Sequence, residues 1–340
     1  MLATTLEDIR RITFREMPDP VIQHPTDAIV KVIASCICGS DLWPYRGDNG
    51  PVAQPRTIGH ECLGEIVEVG PEVRDFRVGD TVVVPFDHCD NTCAHCLAGN
   101  QQACVNYDMT TSGQGELSRV AQADGSLVRI EKPAASELPD LLALSDVFPT
   151  GYHAAYSAGV TRGSTAVVVG DGAVGLLGVL SAKILGAERI IAMSRHESRQ
   201  KLARTFGATD IVAARGEEGE AAVLDMTEGI GADAVLECVG TGAAMVTAFN
   251  VVRPGATVGF VGVPHGVELP VGTMFKKNAR LAGGLAPVRR HLPDLLPLVL
   301  DGTVNPGLVF DSTLPMSQSA EGYRQMDERE AIKVFLTPGA

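Results

Sequence analysis

The rhythm of hydrophobic and polar positions changes twice along this chain. From Ala28 to Val128, short β-rich runs at Ala28–Ile33, Glu65–Val69 and Thr81–Val84 are punctuated by Gly, Pro and Asp. They carry little helical periodicity, which predicts an irregular, mainly β region. Over Leu141–Ala158 the pattern turns helical, and from Thr165 it becomes a regular alternation. The alternation predicts a strand at Ala166–Val169, a helix at Ala173–Leu185, a strand at Arg189–Met193 and a helix at Ser198–Phe206. Strands at Asp210–Val212, Ala234–Cys238 and Thr257–Val261 follow. Alternation of this length predicts a parallel, doubly wound sheet. Beyond Gly283 the chain is irregular again, with a helical Leu292–Leu300 and a strand-like Ala331–Leu336. The fold class is therefore α/β, with an α/β unit inserted into a β-rich one and no tandem repeat.

Length agrees with this division, since 340 residues at about 150 per domain suggest two domains. With 45% hydrophobic and 20% charged residues the chain can bury large cores and is too apolar to be disordered. A net charge of -13 would repel a phosphate backbone and an anionic membrane surface, so neither nucleic acid nor membrane is expected as a partner. The apolar stretch Thr165–Leu185 contains Asp171, Lys183 and several glycines, which suits a core segment and not a membrane span. Met1–Arg15 has no apolar signal core, so the expected location is the cytoplasm. In that reducing compartment, eight cysteines point to metal before disulfides.

Val167–Val168–Val169 leads directly into Gly170-Asp171-Gly172-Ala173-Val174-Gly175, a G-x-G-x-x-G between a buried strand and a helix. Gly170 permits the tight turn, Gly172 lets a pyrophosphate approach the backbone with Ala173 and Val174 at the helix N-terminus, and Gly175 lets helix and strand pack closely. An NAD site places an acid at the end of the second strand to bind the ribose diol. Here Met193 is followed by Ser194-Arg195-His196, with no acid at the tip. A hydroxyl and a guanidinium suit the 2′-phosphate of NADP, and Arg199 offers a second cation one helical turn further on.

Cys93-x2-Cys96-x7-Cys104 supplies three soft ligands, with Asp90 three residues before Cys93. The set can wrap one tetrahedral zinc in a lobe at 89–104. Asp90 is preferred on spacing as the fourth ligand, and Cys89, the softer donor, is its rival. His95 is expected to point outward. Cys38 and His60 form a more dispersed pair, and each taken singly reads as a buried thiol and a core histidine.

Together these segments resemble the medium-chain zinc-dependent alcohol dehydrogenases. Gly59-His60-Glu61-x2-Gly64-x5-Gly70-x2-Val73 is similar to the family's zinc signature. Cys38-Gly39-Ser40-Asp41, Gly79-Asp80-x-Val82, the cysteine lobe and the glycine loop follow in family order. The resemblance implies a GroES-like catalytic domain over 1–147 and 283–340, with a Rossmann domain over 148–282 between them. It further implies a catalytic zinc on Cys38, His60 and Asp146, the aspartate being the pattern of bacterial secondary-alcohol dehydrogenases. Glu61 would approach the metal on ligand exchange, Asp41 would fix the His60 tautomer, and Lys333, where relatives carry Arg, would pair with Glu61.

The reaction implied is hydride transfer between NADP(H) and an alcohol/carbonyl pair, with a secondary alcohol, ketone or aldehyde as the small-molecule partner. Ser40 would carry the proton. Several relatives have a relay histidine where this chain has Trp43, which with Phe86 and Tyr45 becomes a candidate pocket wall. Thr150, Val239 and Val263 would approach the nicotinamide. Two zinc ions and one NADP per chain are expected, in a homo-oligomer, tetramer before dimer. An NAD-dependent polyol or amino-alcohol dehydrogenase of the same fold is the alternative.

Overall fold

The computed structural model describes residues 1–339. The chain divides into two compact units, Met1–Asp146 with Pro287–Ala340, and Val147–Ala286.

In the first unit a seven-stranded sheet runs in the order Val128–Ile130, Thr81–Val84, Cys62–Val69, Ala28–Cys36, Val334–Thr337, Ser312–Pro315, and Leu117–Val120 also pairs with Ala28–Cys36. Val30 and Val32 face inward with Ile66, Val82, Val84 and Leu336, while Lys31 between them is exposed. This is the period-two alternation of a sheet with one buried face. The strand Ala28–Cys36 pairs antiparallel with Cys62–Val69, with Ser35 opposite Cys62. It also pairs antiparallel with Val334–Thr337, with Cys36 opposite Phe335. The residues just after Cys36, just before Cys62 and just before Val334 therefore collect at one end of the sheet.

The second unit is a six-stranded, all-parallel sheet. Its order is Asp210–Val212, Arg189–Met193, Thr165–Val169, Ala232–Glu237, Val252–Phe260, Arg280–Gly283. The strand order reverses beside Thr165–Val169, so the carboxyl ends of that strand and of Ala232–Glu237 form a switch point, the usual place for a ligand. Ala166–Val169 are all buried, as expected of a strand covered on both faces.

Several elements depart from the sequence pattern. The Leu141–Ala158 helix is in fact Leu138–Leu142, a 3₁₀ turn at Ala143–Ser145, and Val147–Ser157, with Asp146 at φ −158°, ψ −72° between them. Apolar periodicity continues through the break because Leu141 to Leu144 are all buried, so it conceals the interruption. Pro149 explains it: proline has no N–H to offer the Ser145 carbonyl four residues back. That carbonyl instead accepts from the Phe86 N–H at 3.0 Å. The strand predicted at Glu65–Val69 begins earlier, at Cys62, and the helix predicted from Leu292 begins at Val288. The hairpin Leu2–Asp8/Arg11–Glu16 and the helices Gly216–Met226, Gly242–Val251, Val271–Lys277 and Ser319–Asp327 were not anticipated. Gly242–Val251 is apolar almost all round, which leaves no clean helical stripe to read.

Within the glycine loop the three glycines differ. Gly170 sits at φ +116°, in the left-handed region. A Cβ on Gly175 would fall 2.1 Å from the Gly170 carbonyl oxygen, whereas one on Gly172 would meet nothing within 4 Å. Gly175→Ala is accordingly expected to destabilise the second unit by about 2 kcal/mol or more, and Gly172→Ala by less than about 0.5 kcal/mol. Calorimetric melting of both variants checks this, and equal melting temperatures would contradict it.

Candidate active site

The antiparallel register brings Cys38, His60, Glu61 and Lys333 to the same end of the sheet, and Asp146 arrives there through the Phe86–Ser145 bond. Ligand-type atoms of Cys38, His60, Glu61 and Asp146 all lie within 4.8 Å of one another. The Asp146 Oδ2 stands 3.5 Å from Cys38 Sγ and 3.2 Å from His60 Nε2. Donors held tetrahedrally at zinc bond lengths lie roughly 3.3–3.8 Å apart, so a thiol, an imidazole and a carboxylate at these separations fit one zinc ion. The electrostatics fit as well. Burial opposes a charge on His60, yet Asp41, Cys38 and Asp146 together raise its pKa well above the ordinary value. Burial, then Asp146 and Glu61, raise that of Cys38. So much negative charge in a buried space is what a dication would offset.

Around this set the partners are specific. Asp41 Oδ1 is 3.2 Å from His60 Nδ1, which leaves Nε2 facing Asp146. Asp41 Oδ2 accepts from the Cys38 N–H at 3.0 Å and from Gln114 Nε2 at 3.2 Å. Ser40 Oγ lies 3.5 Å from His60 Nε2. Lys333, fully buried, donates to Glu61 Oε1 at 2.6 Å and to the Ile37 carbonyl at 3.1 Å, while Glu61 Oε2 has no hydrogen-bond partner among the described residues. Lys333 is therefore part of the buried site and not a solvated surface lysine. Phe86 meets the His60 ring edge-on, centroids 6.0 Å apart, and Trp43 is half-buried in the short helix Leu42–Arg46. Tyr45 is not a wall of this site: it packs in the core against Tyr323.

Asp90, Cys93, Cys96 and Cys104 form a second cluster, again with ligand atoms within 4.8 Å of one another. Cys93 Sγ stands 3.5 Å from Cys96 Sγ and 3.9 Å from Cys104 Sγ, spacings that fit a tetrahedral thiolate site. Asp90 Oδ1 accepts the N–H groups of Thr92 and Cys93 at 2.8 and 2.9 Å, and Oδ2 accepts from Asn106 at 2.9 Å. These bonds outweigh burial and hold its pKa well below the usual range, so the carboxylate is ionised. Cys89 turns away: its thiol faces the Gly125 carbonyl at 3.5 Å, and burial pushes its pKa up to about 12. His95 is exposed.

In the second unit, Gly172 caps the helix Ala173–Ile184 without any side-chain acceptor, so the first-turn amides of Ala173 and Val174 are unsatisfied by side chains and can receive a phosphate. Val239 and Val263, both partly exposed, follow the carboxyl ends of neighbouring strands, and Val239 lies against Gly170. Thr150 lies in the helix Val147–Ser157. The strand tip holds a correction. An acid does stand there, supplied by the glycine loop: Ser194 Oγ donates to Asp171 Oδ2 at 2.9 Å, and Arg199 Nη1 lies 3.3 Å from Asp171 Oδ1. The sequence reading missed it because Asp171 is 23 positions from Ser194 and adjacent only in space. Arg195 is exposed.

Residues 24–132 match the family described as alcohol dehydrogenase GroES-like domain, and residues 173–301 match that described as zinc-binding dehydrogenase. A probable zinc-binding alcohol dehydrogenase of Mycobacterium tuberculosis is 36% identical over 99% of this chain and 89% of its own length. An NADP-dependent isopropanol dehydrogenase of Thermoanaerobacter brockii is 34% identical over 86% of this chain and 85% of its own. The solved alcohol dehydrogenase of Thermus sp. ATN1 superposes with a TM-score of 0.90 at 31% identity, covering 100% of both chains. No helix among the described residues is long and apolar enough to cross a membrane.

One buried acid beside Phe86 has no signal in the sequence. Asp87 is fully buried, with only the backbone N–H groups of Asp87 itself and Val288 near its carboxylate and no side-chain partner among the described residues. Burial pushes its pKa up to about 7. A carboxyl whose pKa rises on folding favours the protonated form, so stability falls as pH climbs from the unfolded value near 4 to about 7 and is level beyond. Asp87→Asn should therefore gain on the wild type, by on the order of 2 kcal/mol, between pH 5.5 and pH 8. Melting at the two pH values checks it, and a pH-independent difference would contradict it.

Proposed function

The chain belongs to the zinc-dependent alcohol dehydrogenase family, and from that premise we propose that it is an NADP(H)-linked oxidoreductase of a secondary alcohol/ketone or aldehyde pair. The observation that carries the reading is the convergence of Cys38, His60 and Asp146 with Ser40 at the same end of the sheet. When bound, zinc supplies a Lewis acid that makes an alcohol hydroxyl acidic, and the nicotinamide ring carries the hydride. Cys38, His60 and Asp146 would hold that metal. Asp41 keeps the His60 ring oriented through Nδ1. Ser40, with its hydroxyl beside His60 Nε2, takes the substrate proton and passes it outward. Lys333 holds Glu61 by one oxygen beside the same donor set and leaves the other without a hydrogen-bond partner among the described residues. Phe86 and Trp43 keep the surroundings apolar.

A second zinc, held by Asp90, Cys93, Cys96 and Cys104, has only a structural role in this reading. It substitutes for a core in a lobe whose regular structure is limited to the four-residue helix Ala94–Leu97 and a 3₁₀ turn at Gln101–Ala103. The homo-oligomer, tetramer before dimer, and a cytoplasmic location belong to the same proposal.

Cys38→Ala is expected to lose one zinc equivalent and all measurable turnover with its circular dichroism unchanged. Ser40→Ala should keep zinc and lose about 10²-fold or more in kcat. Full activity in either variant, measured with simple secondary alcohols and ketones, would overturn the assignment.

For the cofactor, the exposed Arg195 at the end of Arg189–Met193 supports NADP, while the Ser194 hydroxyl, buried and donating to Asp171, is already committed and is not free to donate to a phosphate. Asp171 favours the alternative, an NAD-linked polyol or amino-alcohol dehydrogenase, because a carboxylate can bind a ribose diol. That carboxylate is already engaged on both oxygens by Ser194 and Arg199, whereas Arg195 is exposed; the NADP reading is preferred. Arg195→Ala should raise KM for NADP by about tenfold or more and leave KM for NAD nearly unchanged. A wild-type preference for NAD would decide for the alternative.

A further inference from the structure

Asp41 makes contact with two of the proposed metal ligands at once. One oxygen faces the His60 ring and the other accepts the backbone N–H of Cys38. Any rotation of this carboxylate therefore displaces both ligands together, and what holds Asp41 matters for the metal.

We propose that Gln114 and Tyr323 form a buried outer support that locks Asp41 and so determines how tightly the Cys38–His60–Asp146 site retains its zinc, with Gln114 acting as a positioning residue. The proposal rests on the zinc reading above.

Gln114 is fully buried and donates from Nε2 to Asp41 Oδ2 at 3.2 Å and to the Cys36 carbonyl at 3.1 Å. Its Oε1 accepts from the Tyr323 hydroxyl at 3.1 Å. Only this orientation of the amide satisfies the site. The flipped amide would turn its oxygen toward a carbonyl and a carboxylate, two acceptors with no proton to share. Tyr323 is itself fully buried in the helix Ser319–Asp327, its ring 5.4 Å from that of Tyr45, so the hydroxyl has little freedom. The Gln114 backbone is tied on the other side, where its carbonyl accepts from the Thr4 N–H at 2.9 Å.

Gly59 belongs to the same device. It sits at φ +92°, and a Cβ there would come 2.4 Å from Gln114 Cγ. The glycine before His60 thus serves two ends: it permits the left-handed turn into the ligand, and it leaves the space through which Gln114 reaches Asp41. The result is a continuous chain from Tyr323 through Gln114 and Asp41 to His60, closed between residues 209 positions apart at its outermost bond.

Partners behind a metal-ligating histidine commonly change metal affinity 10–100-fold, and one bond further out about tenfold is expected. The test follows the loss of zinc from holo-protein to a chelator, scoring the zinc equivalent that is absent from Cys38→Ala. Gln114→Met should release it about tenfold faster than wild type, and Tyr323→Phe about threefold faster. The double variant Gln114→Met/Tyr323→Phe removes both polar partners, so it should regain part of the melting temperature lost by Gln114→Met. Its zinc release should remain about tenfold faster. A merely structural role would move melting temperature and release together. Release within about twofold of wild type in Gln114→Met and in the double variant overturns the proposal. Should Gln114→Met not fold, an unchanged rate in Tyr323→Phe alone overturns it. If Cys38→Ala contains as much zinc as the wild type, the zinc reading itself has failed, an outcome distinct from a Cys38-dependent zinc that ignores Gln114.

Discussion

The register of the strand Ala28–Cys36 between its two antiparallel neighbours is the constraint on which the site depends. Ser35 opposite Cys62 and Cys36 opposite Phe335 place the chain that leaves this strand beside the chain that enters the other two. Cys38, His60, Glu61 and Lys333 are neighbours for that reason alone. A slip of one residue would turn each strand's side chains to the opposite face and scatter them, but the alternation that buries Val30 and Val32 makes such a slip costly. The hydrophobic face of the sheet and the polar site at its end are two consequences of one pairing.

Charge explains why this end of the sheet is a site and not merely a junction. Asp41, Glu61 and Asp146 are all buried there with the thiol of Cys38. Lys333 answers Glu61 directly, and the remaining carboxylates converge on His60. Unpaired carboxylates in such a place would be strongly destabilising. A divalent cation would resolve the imbalance, and the donor spacing suits it, in keeping with a zinc-dependent dehydrogenase. The lobe at Asp90–Cys104 meets a related problem differently. Its cysteines form a small cluster of their own, so a metal there would stand in for a hydrophobic core.

The nucleotide end follows a different rule. There the parallel sheet places the glycine loop at its switch point, and the loop carries a side chain of its own to the tip of the strand Arg189–Met193. Asp171 ties Ser194 and Arg199 together, so these two residues do not act independently. On the proposed reading, cofactor choice would then be a balance between a carboxylate already engaged and an exposed Arg195, which residue types at the strand tip cannot express by themselves.

Much of the protein was legible in its sequence because the relevant signals are local. Strand–helix alternation, the glycine loop and the Cys-x2-Cys lobe depend on neighbours a few positions apart, and the structure brings Asp90, Cys93, Cys96 and Cys104 together as that spacing suggested. Asp146 was recognisable only by resemblance, since the helical periodicity around it runs on through the break that Pro149 produces. Asp171 beside Ser194, the buried Asp87, and Gln114 with Tyr323 behind Asp41 had no sequence signal at all. Each owes its meaning to a contact between segments far apart in the chain, and a side chain's hydrogen-bond partner and burial exist only once the backbone has folded. The sequence by itself determined which chemistry the chain can carry; the tertiary structure decided which groups are held, paired and aimed at it.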